Sequence, residues 1–430
     1  MNAPAAHAIF EIEMLSDVPY GEGSIGFGTP HPSSRPLTLD IYKPLNTDRN
    51  ALKPALILSH GGAYHRGSKT NDDFEQDGHH TTPVTEYCKI FAARGYVCFS
   101  LGYRLTQELA APQAAPIKRN RQQISRGRID HVRELMGLAP ATDEEILNGI
   151  EGAFVDVASA FRFVQSHAHQ WGIDPQRIAV GGFSAGAFAS IYASYALGIN
   201  AAAIVSLSGG IDLDDADYYV HGGRGQPPLL MFSSEMDLPG IHDRTLNMAN
   251  KAEAKGIGIR RYFVPQKPHF YDRDSVALLE QNNMDGAIEK TTVGMALIDF
   301  LDKTLAPAEV TEQTLIEFAQ AWNNHDIDSL MSYMSDGCVF HTFTGSEACG
   351  TRQVGKENVR HAFMQAWQNY PDAQWTRAKH FVAGQRGVSE WTFVGTRTSD
   401  GARIEVDGCD LFTFEGNKIK VKDSWRKHRI

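Results

Sequence analysis

The sequence predicts a chain in two parts: an α/β unit built on a mostly parallel, doubly wound sheet over residues 1–305, then a smaller α+β unit over residues 308–430. Three observations carry this expectation. Apolar strand-like runs alternate with helix-like segments in the first part, as they do when helices cover both faces of a parallel sheet. From Thr311 onward one amphipathic helix gives way to strand-like runs separated by turn residues. Finally, 430 residues exceed what one hydrophobic core usually holds.

Taken in order, the first strong strand is Ala55-Leu56-Ile57-Leu58, which leads into His60-Gly61-Gly62-Ala63-Tyr64-His65-Arg66-Gly67. Two adjacent glycines at a strand end allow backbone N–H groups to face a developing oxyanion. The next strand ends at Gly102-Tyr103-Arg104-Leu105. Residues 106–148 then read as an insertion rich in Lys118, Arg119, Arg121, Arg126, Arg128 and Arg133, before an acidic turn at Asp143-Glu144-Glu145. An insertion leaving a strand end can cover the mouth of a site, and its cations would favour an anionic ligand. A solvated helix offsetting an acidic chain explains the charges equally well. The polar loop Ser68 to Pro83, with Asp72, Asp73, Glu75, Asp77, His79 and His80, reads as a loop before it reads as a metal site.

Ile178-Ala179-Val180 is followed by Gly182-Phe183-Ser184-Ala185-Gly186, a G-x-S-x-G turn between a strand and a helix of small residues. That context makes Ser184 a candidate nucleophile on a strained elbow, with the Ala185 N–H as an oxyanion donor beside Gly61 and Gly62. Leu229-Leu230-Met231-Phe232 is the next strand, and Asp237 lies just past its end with Glu235 as the fallback acid. Arg261-Tyr262-Phe263-Val264 precedes His269, the candidate base; His221 and His242 do not keep the nucleophile, acid, base order. A helix near Val293 to Leu305 closes the first part, and Ala306-Pro307-Ala308-Glu309 reads as a short linker.

These motifs resemble the α/β-hydrolase family of esterases and lipases over about residues 10–304. The stretch from His60 is similar to the oxyanion patterns of hormone-sensitive-lipase-like, feruloyl-esterase-like and kynurenine-formamidase-like enzymes, with Ala63 in place of a third glycine and Tyr64 in place of a tryptophan. Gly102-Tyr103-Arg104-Leu105 and the lead-in Trp171 to Val180 resemble the same families. The resemblance implies Ser184 as nucleophile, His269 as base, Asp237 as its orienter, and Gly61, Gly62 and Ala185 as oxyanion donors.

In the second part Leu315, Phe318, Ala319 and Trp322 fall on one helical face, and strands follow over Val388 to Thr396, Ile404 to Phe414 and Lys418 to Trp425. Turns fall at Ser399-Asp400-Gly401 and Glu415-Gly416-Asn417. With the ending Lys422-Asp423-Ser424-Trp425, residues 308–430 resemble a SnoaL-like member of the NTF2-like cone fold. Strand parity places Asp423 inward with Ile419, Val421 and Trp425, Asp410 with Phe412 and Phe414, and His341 with Val339 and Phe343. Asp423, Asp410 and His341 therefore form a candidate second site, set against the simpler role of an assembly module.

A net charge of −10 offers no basic excess for nucleic acid or an anionic membrane. No apolar run approaches the roughly 18 residues of a membrane span. The five cysteines lack C-x-x-C spacing, and Met1-Asn2-Ala3-Pro4 leads into no apolar core, so the expectation is reduced thiols in a cytoplasmic protein. The expected activity is cleavage of a small carboxylic ester through an acyl-serine, without metal or cofactor, by a homo-oligomer assembled through the second part. The alternatives are an amidase, formamidase or lactonase using the same residues, or a hydrolase joined to a SnoaL-like isomerase or cyclase.

Overall fold

The computed structural model describes residues 9–47, 52–122, 124–222, 226–280, 289–307 and 309–427. The expectations resting on Met1 to Pro4 and on Ala308 lie outside the described residues. The chain forms two compact units, Met1–Ala306 and Pro307–Ile430.

The first unit is organised on a ten-stranded sheet. Its strands are β1 (Ile12–Ile25), β2 (Ser33–Pro44), β3 (Lys53–Ser59), β4 (Val97–Leu101), β5 (Ile173–Phe183), β6 (Ala203–Leu207), β7 (Leu229–Met236), β8 (Ile259–Pro268), β9 (Val276–Leu279) and β10 (Lys290–Thr292). They lie in the order β1-β2-β4-β3-β5-β6-β7-β8-β9-β10. The six from β4 to β8 run parallel, and antiparallel strands extend the sheet on both sides. β1 pairs with β2 through register shifts between Leu15 and Val18 and between Pro19 and Gly21. The parallel strands are apolar on both faces, as a sheet covered on both sides requires: Ile57, Val180 and Ile204 belong to one core cluster, and Leu56, Ala179 and Val205 to the other.

From β3 the chain passes to β4 on one side, and it returns as β5 on the other. The carboxyl ends of β3 and β5 therefore diverge at a switch point, where open α/β sheets form a crevice. The helices of this unit are α1 (Val84–Ala93), α2 (Arg126–Leu135), α3 (Asp143–Ser166), α4 (Ala185–Tyr195), α5 (Leu213–Tyr219), α6 (Ile241–Ala254) and α7 (Val293–Thr304). Asp143-Glu144-Glu145 is the first turn of α3 rather than a loop. Thr142 caps it, its hydroxyl accepting from the Glu145 N–H while the Glu145 carboxylate accepts from the Thr142 N–H, and acidic side chains suit a helix N-terminus. The inserted segment is thereby shorter than 106–148 suggested and holds α2. A buried Arg104–Asp156 ion pair of 2.6 Å ties the end of β4 to α3.

The second unit carries α8 (Glu312–Asn323), α9 (Ile327–Tyr333) and α10 (Lys356–Asn369). Its sheet comprises β11 (Met334–His341), β12 (Arg352–Val354), β13 (Gln374–Ala383), β14 (Arg386–Thr396), β15 (Arg403–Glu415) and β16 (Lys418–Arg426), in the order β12-β11-β16-β15-β14-β13. Leu315, Phe318 and Trp322 of α8 pack with Phe412, Phe414 and Ile419. One expectation is corrected here. β16 shifts register against β15, Phe414 facing Ile419 but Thr413 facing Val421, so a bulge reverses the inside and outside of everything after it. Ile419, Lys422 and Ser424 are buried, whereas Trp425 is exposed and Asp423 lies half-buried on the other face.

Candidate active site

Each candidate residue of the first unit sits just past the carboxyl end of a parallel strand: His60 to Ala63 after β3, Ser184 after β5, Asp237 after β7 and His269 after β8. Ser184 has φ +50° and ψ −117°, a conformation that a non-glycine residue holds only when its surroundings force it. Its N–H donates to the Leu207 carbonyl at 2.8 Å, and its own carbonyl accepts from Phe188 at 3.0 Å as α4 begins. The backbone is fixed on both sides, leaving Oγ to point away from the turn.

His269 Nε2 lies 2.9 Å from Ser184 Oγ, and His269 Nδ1 lies 2.5 Å from Asp237 Oδ1. Both side chains are buried. Asp237 is the carboxylate that meets His269; Glu235, the fallback, instead accepts from the Gln266 N–H. The second oxygen of Asp237 accepts from Ser208 Oγ at 2.6 Å and from the Ser234 N–H at 3.1 Å. Burial alone would push this carboxyl up, but the His269 ring charge and these hydrogen bonds outweigh it and hold the carboxyl below its ordinary range. With Nδ1–H donating to the acid, Nε2 is the ring nitrogen able to accept from the serine. Tyr271, whose hydroxyl is 3.0 Å from that of Ser208, supports the acid from behind. Neither Ser208 nor Tyr271 announces itself in the sequence, because each acts through a contact between strand ends.

The turn after β3 is tightly built. Gly62 has φ +109°, and its carbonyl accepts from the N–H groups of His65 and Arg66. Ala63 and Tyr64 follow with positive φ. His60 stacks on Tyr103 with ring centroids 4.2 Å apart and donates from Nδ1 to the Gly61 carbonyl at 2.7 Å. Burial lowers His60 to about 4 from an ordinary value of 6.5, so the imidazole is neutral when folded. The unfolded chain binds this proton first as pH falls. The stability His60 provides is therefore complete above pH 6.5 and lost as pH drops towards about 4. The loss should be on the order of 2–3 kcal/mol in urea unfolding titrations across that window, and His60→Asn should remove this component.

Ser184 opens into a cavity of about 450 Å³. Ala63, Ala185, Tyr64 and Phe154 line it, together with residues 124–129 of the inserted segment. Ala63, rather than Gly61 or Gly62, shares the cavity wall with Ser184 and Ala185; as the first residue of α4, Ala185 has an N–H without an intrahelical acceptor. Gly61 packs instead beneath the elbow, where a Cβ would come within 2.7 Å of the Phe183 ring. On the far wall Lys118 and Arg244 share the Asp212 carboxylate, Arg244 at 2.8 Å. Among the described residues no group of three or more His, Cys, Asp or Glu side chains could hold a metal ion, and no helix is long and apolar enough to cross a membrane. Asp72 of the polar loop accepts from the Val84 N–H at the start of α1.

In the second unit the three candidate residues separate. Asp410 is buried and accepts from Lys422 Nζ at 2.6 Å, Ser424 Oγ at 2.5 Å and Trp391 Nε1 at 2.9 Å. His341 and Asp423 meet each other on the opposite face, at 3.9 Å. The bulge in β16 brought Lys422 to Asp410 in place of Asp423. What was expected as a lone carboxyl in an apolar cone is an ion pair ringed by donors, beside a space of only about 20 Å³.

Comparisons with known proteins follow this division. A phospholipase/carboxylesterase family model matches residues 134–216, and a SnoaL-like domain model matches residues 315–421. No curated protein matches the chain. Among solved structures the chain is similar to Thermogutta terrifontis esterase 2 phosphorylated by paraoxon, at 16% identity and a TM-score of 0.43 over 71% of this chain and 96% of that one. It is also similar to that esterase phosphonylated by cyclosarin, at 17% identity and a TM-score of 0.40 over 60% and 84%. The butyrate-bound form gives 16% identity and a TM-score of 0.41 over 63% and 89%.

Proposed function

From a chain whose first unit is an α/β-hydrolase of the carboxylic ester hydrolase kind and whose second is SnoaL-like, we propose that Ser184, His269 and Asp237 cleave a small-molecule carboxylic ester through an acyl-serine. The observation that carries this reading is the unbroken relay from Oγ to Nε2 and from Nδ1 to Oδ1, its open end facing the cavity. In the first half, His269 Nε2 takes the Oγ proton as Oγ attacks the carbonyl carbon. The tetrahedral oxyanion is received by the Ala185 N–H and the Gly61-Gly62-Ala63 turn. The imidazolium then returns its proton to the departing alkoxide, and Asp237 balances the ring charge throughout. In the second half, water attacks the acyl-serine by the same route and releases the acid. These steps call on no metal or cofactor.

The test is pre-steady-state hydrolysis of 4-nitrophenyl acetate. A burst stoichiometric with enzyme, together with an acetyl adduct on the peptide containing Ser184, supports the reading; turnover without either overturns it. Asp237→Asn should lower kcat on the order of 10⁴-fold by letting the ring adopt the wrong tautomer. Matched aryl ester and aryl amide rates separate an esterase from an amidase.

A further inference from the structure

Two guanidinium groups near this site lack what every other cation of the cavity wall possesses. Lys118 and Arg244 hold Asp212, and Arg126 pairs with Asp130 and Asp143. Arg128, which lines the cavity with Ser184, has no hydrogen-bond or ion-pair partner among the described residues. It is half-buried, with its guanidinium carbon 5.8 Å from the centre of the Phe270 ring, the residue after His269. Phe270 packs on Phe74 at 5.8 Å, and the Arg66 guanidinium lies over Phe74 at 4.6 Å. Arg66 is also half-buried, and its Nε is buried with no hydrogen-bond partner.

Holding two such groups partly out of water without a counter-charge is costly. Burial lowers both from their ordinary values, and for Arg128 the Arg66 charge lowers it further. Aromatic faces offset part of this cost but offer no acceptor to an N–H fork. A planar donor fork of this kind matches a carboxylate, and the wall already contains four cations, Lys118, Arg126, Arg128 and Arg244, against the single carboxylate of Asp212.

We propose that Arg128, supported by Arg66 across the Phe74–Phe270 pair, is the anion-binding wall of this cavity, and that the ester cleaved at Ser184 carries a carboxylate. This rests on the serine hydrolase reading for turnover but not for binding. The carboxylate remains ionised and unchanged through the reaction; it positions the substrate while the ester carbonyl carbon is attacked.

The test uses the full chain and two matched pairs of probes. For turnover the pair is mono-4-nitrophenyl glutarate and its neutral methyl ester. For binding it is the corresponding 4-nitroanilide acid and its neutral primary amide, titrated calorimetrically. The wild type is expected to favour the acid over the neutral partner by on the order of 10- to 100-fold in both kcat/KM and Kd at low salt. The preference should weaken as salt is added. Arg128→Met should remove most of it, and a thermal transition close to that of the parent shows that the variant is folded. Arg66→Met should remove a smaller part, and Arg128→Lys should restore only a part. Equal binding of acid and neutral probe by the wild type, or a preference untouched in both methionine variants, overturns the proposal. Selective binding of the acid probe without hydrolysis of either ester leaves the anion wall standing and overturns the serine hydrolase reading instead.

Discussion

Ser184→Ala is expected to lower kcat for small activated esters on the order of 10⁴- to 10⁶-fold while leaving the thermal transition close to that of the parent. The magnitude follows from the relay acting as a unit. Without Oγ there is no bond for His269 to activate, and the remaining donors can only polarise a carbonyl awaiting water from solution. The unchanged transition follows because Ser184 is held by its backbone hydrogen bonds to Leu207 and Phe188, which alanine keeps. Alanine also inherits the same strained φ, so nothing is relieved. Steady-state assays paired with calorimetry check both halves. Retained turnover in a folded variant would move the chemistry elsewhere.

Gly186→Ala should instead be lost through the fold. A Cβ there would stand 2.1 Å from the Ser59 carbonyl oxygen and 2.5 Å from that of His60, both backbone atoms at the carboxyl end of β3. Gly182, at the end of β5, meets the same Ser59 oxygen at 2.2 Å, so both the end of β5 and the start of α4 approach β3 at a distance only glycine allows. Neither partner can yield cheaply, because β3 lies between β4 and β5 within the sheet. Overpacking commonly costs about 1–3 kcal/mol, and a clash against fixed backbone belongs at or above the upper end. The expected result is a loss of at least about 3 kcal/mol in denaturant unfolding of the first unit. Any folded remainder should be poorly active, since the displaced segment leads directly into the His60-Gly61-Gly62-Ala63 turn beside Ser184. Gly21→Ala, where a Cβ meets nothing within 4 Å, is the control and should change stability by less than about 0.5 kcal/mol.

The residues that meet at the candidate site of the first unit were legible because each follows a short apolar strand in chain order, so local pattern alone locates the strand end and the polar residue after it. Ser184, Asp237 and His269 are of this kind. Long-range pairings were not. Nothing near Lys118 in the sequence points to Asp212 or Arg244, and Ser208 reaches Asp237 only because β6 and β7 are neighbours in the sheet. Acidic residues at 143–145 read as a turn because charge alone does not distinguish a loop from the first turn of a capped helix. In the second unit, alternation read correctly along β15, where Asp410 lies buried with Phe412 and Phe414. It failed along β16, where one extra residue exchanged Asp423 for Lys422. Such a bulge has no signature in Lys418 to Trp425, where the lysines at 418, 420 and 422 keep an unbroken alternation straight through it.

The two register shifts in β1 carry a consequence for self-association. A strand at the border of a sheet presents unused N–H and C=O groups, and an uninterrupted row of them templates pairing with another molecule. Here the row is broken between Leu15 and Val18 and again between Pro19 and Gly21, and Pro19 has no N–H to offer. The border strand is thus a poor docking rail. A second copy pairing along β1 would have to break register at both places, so a long continuous ladder there is disfavoured.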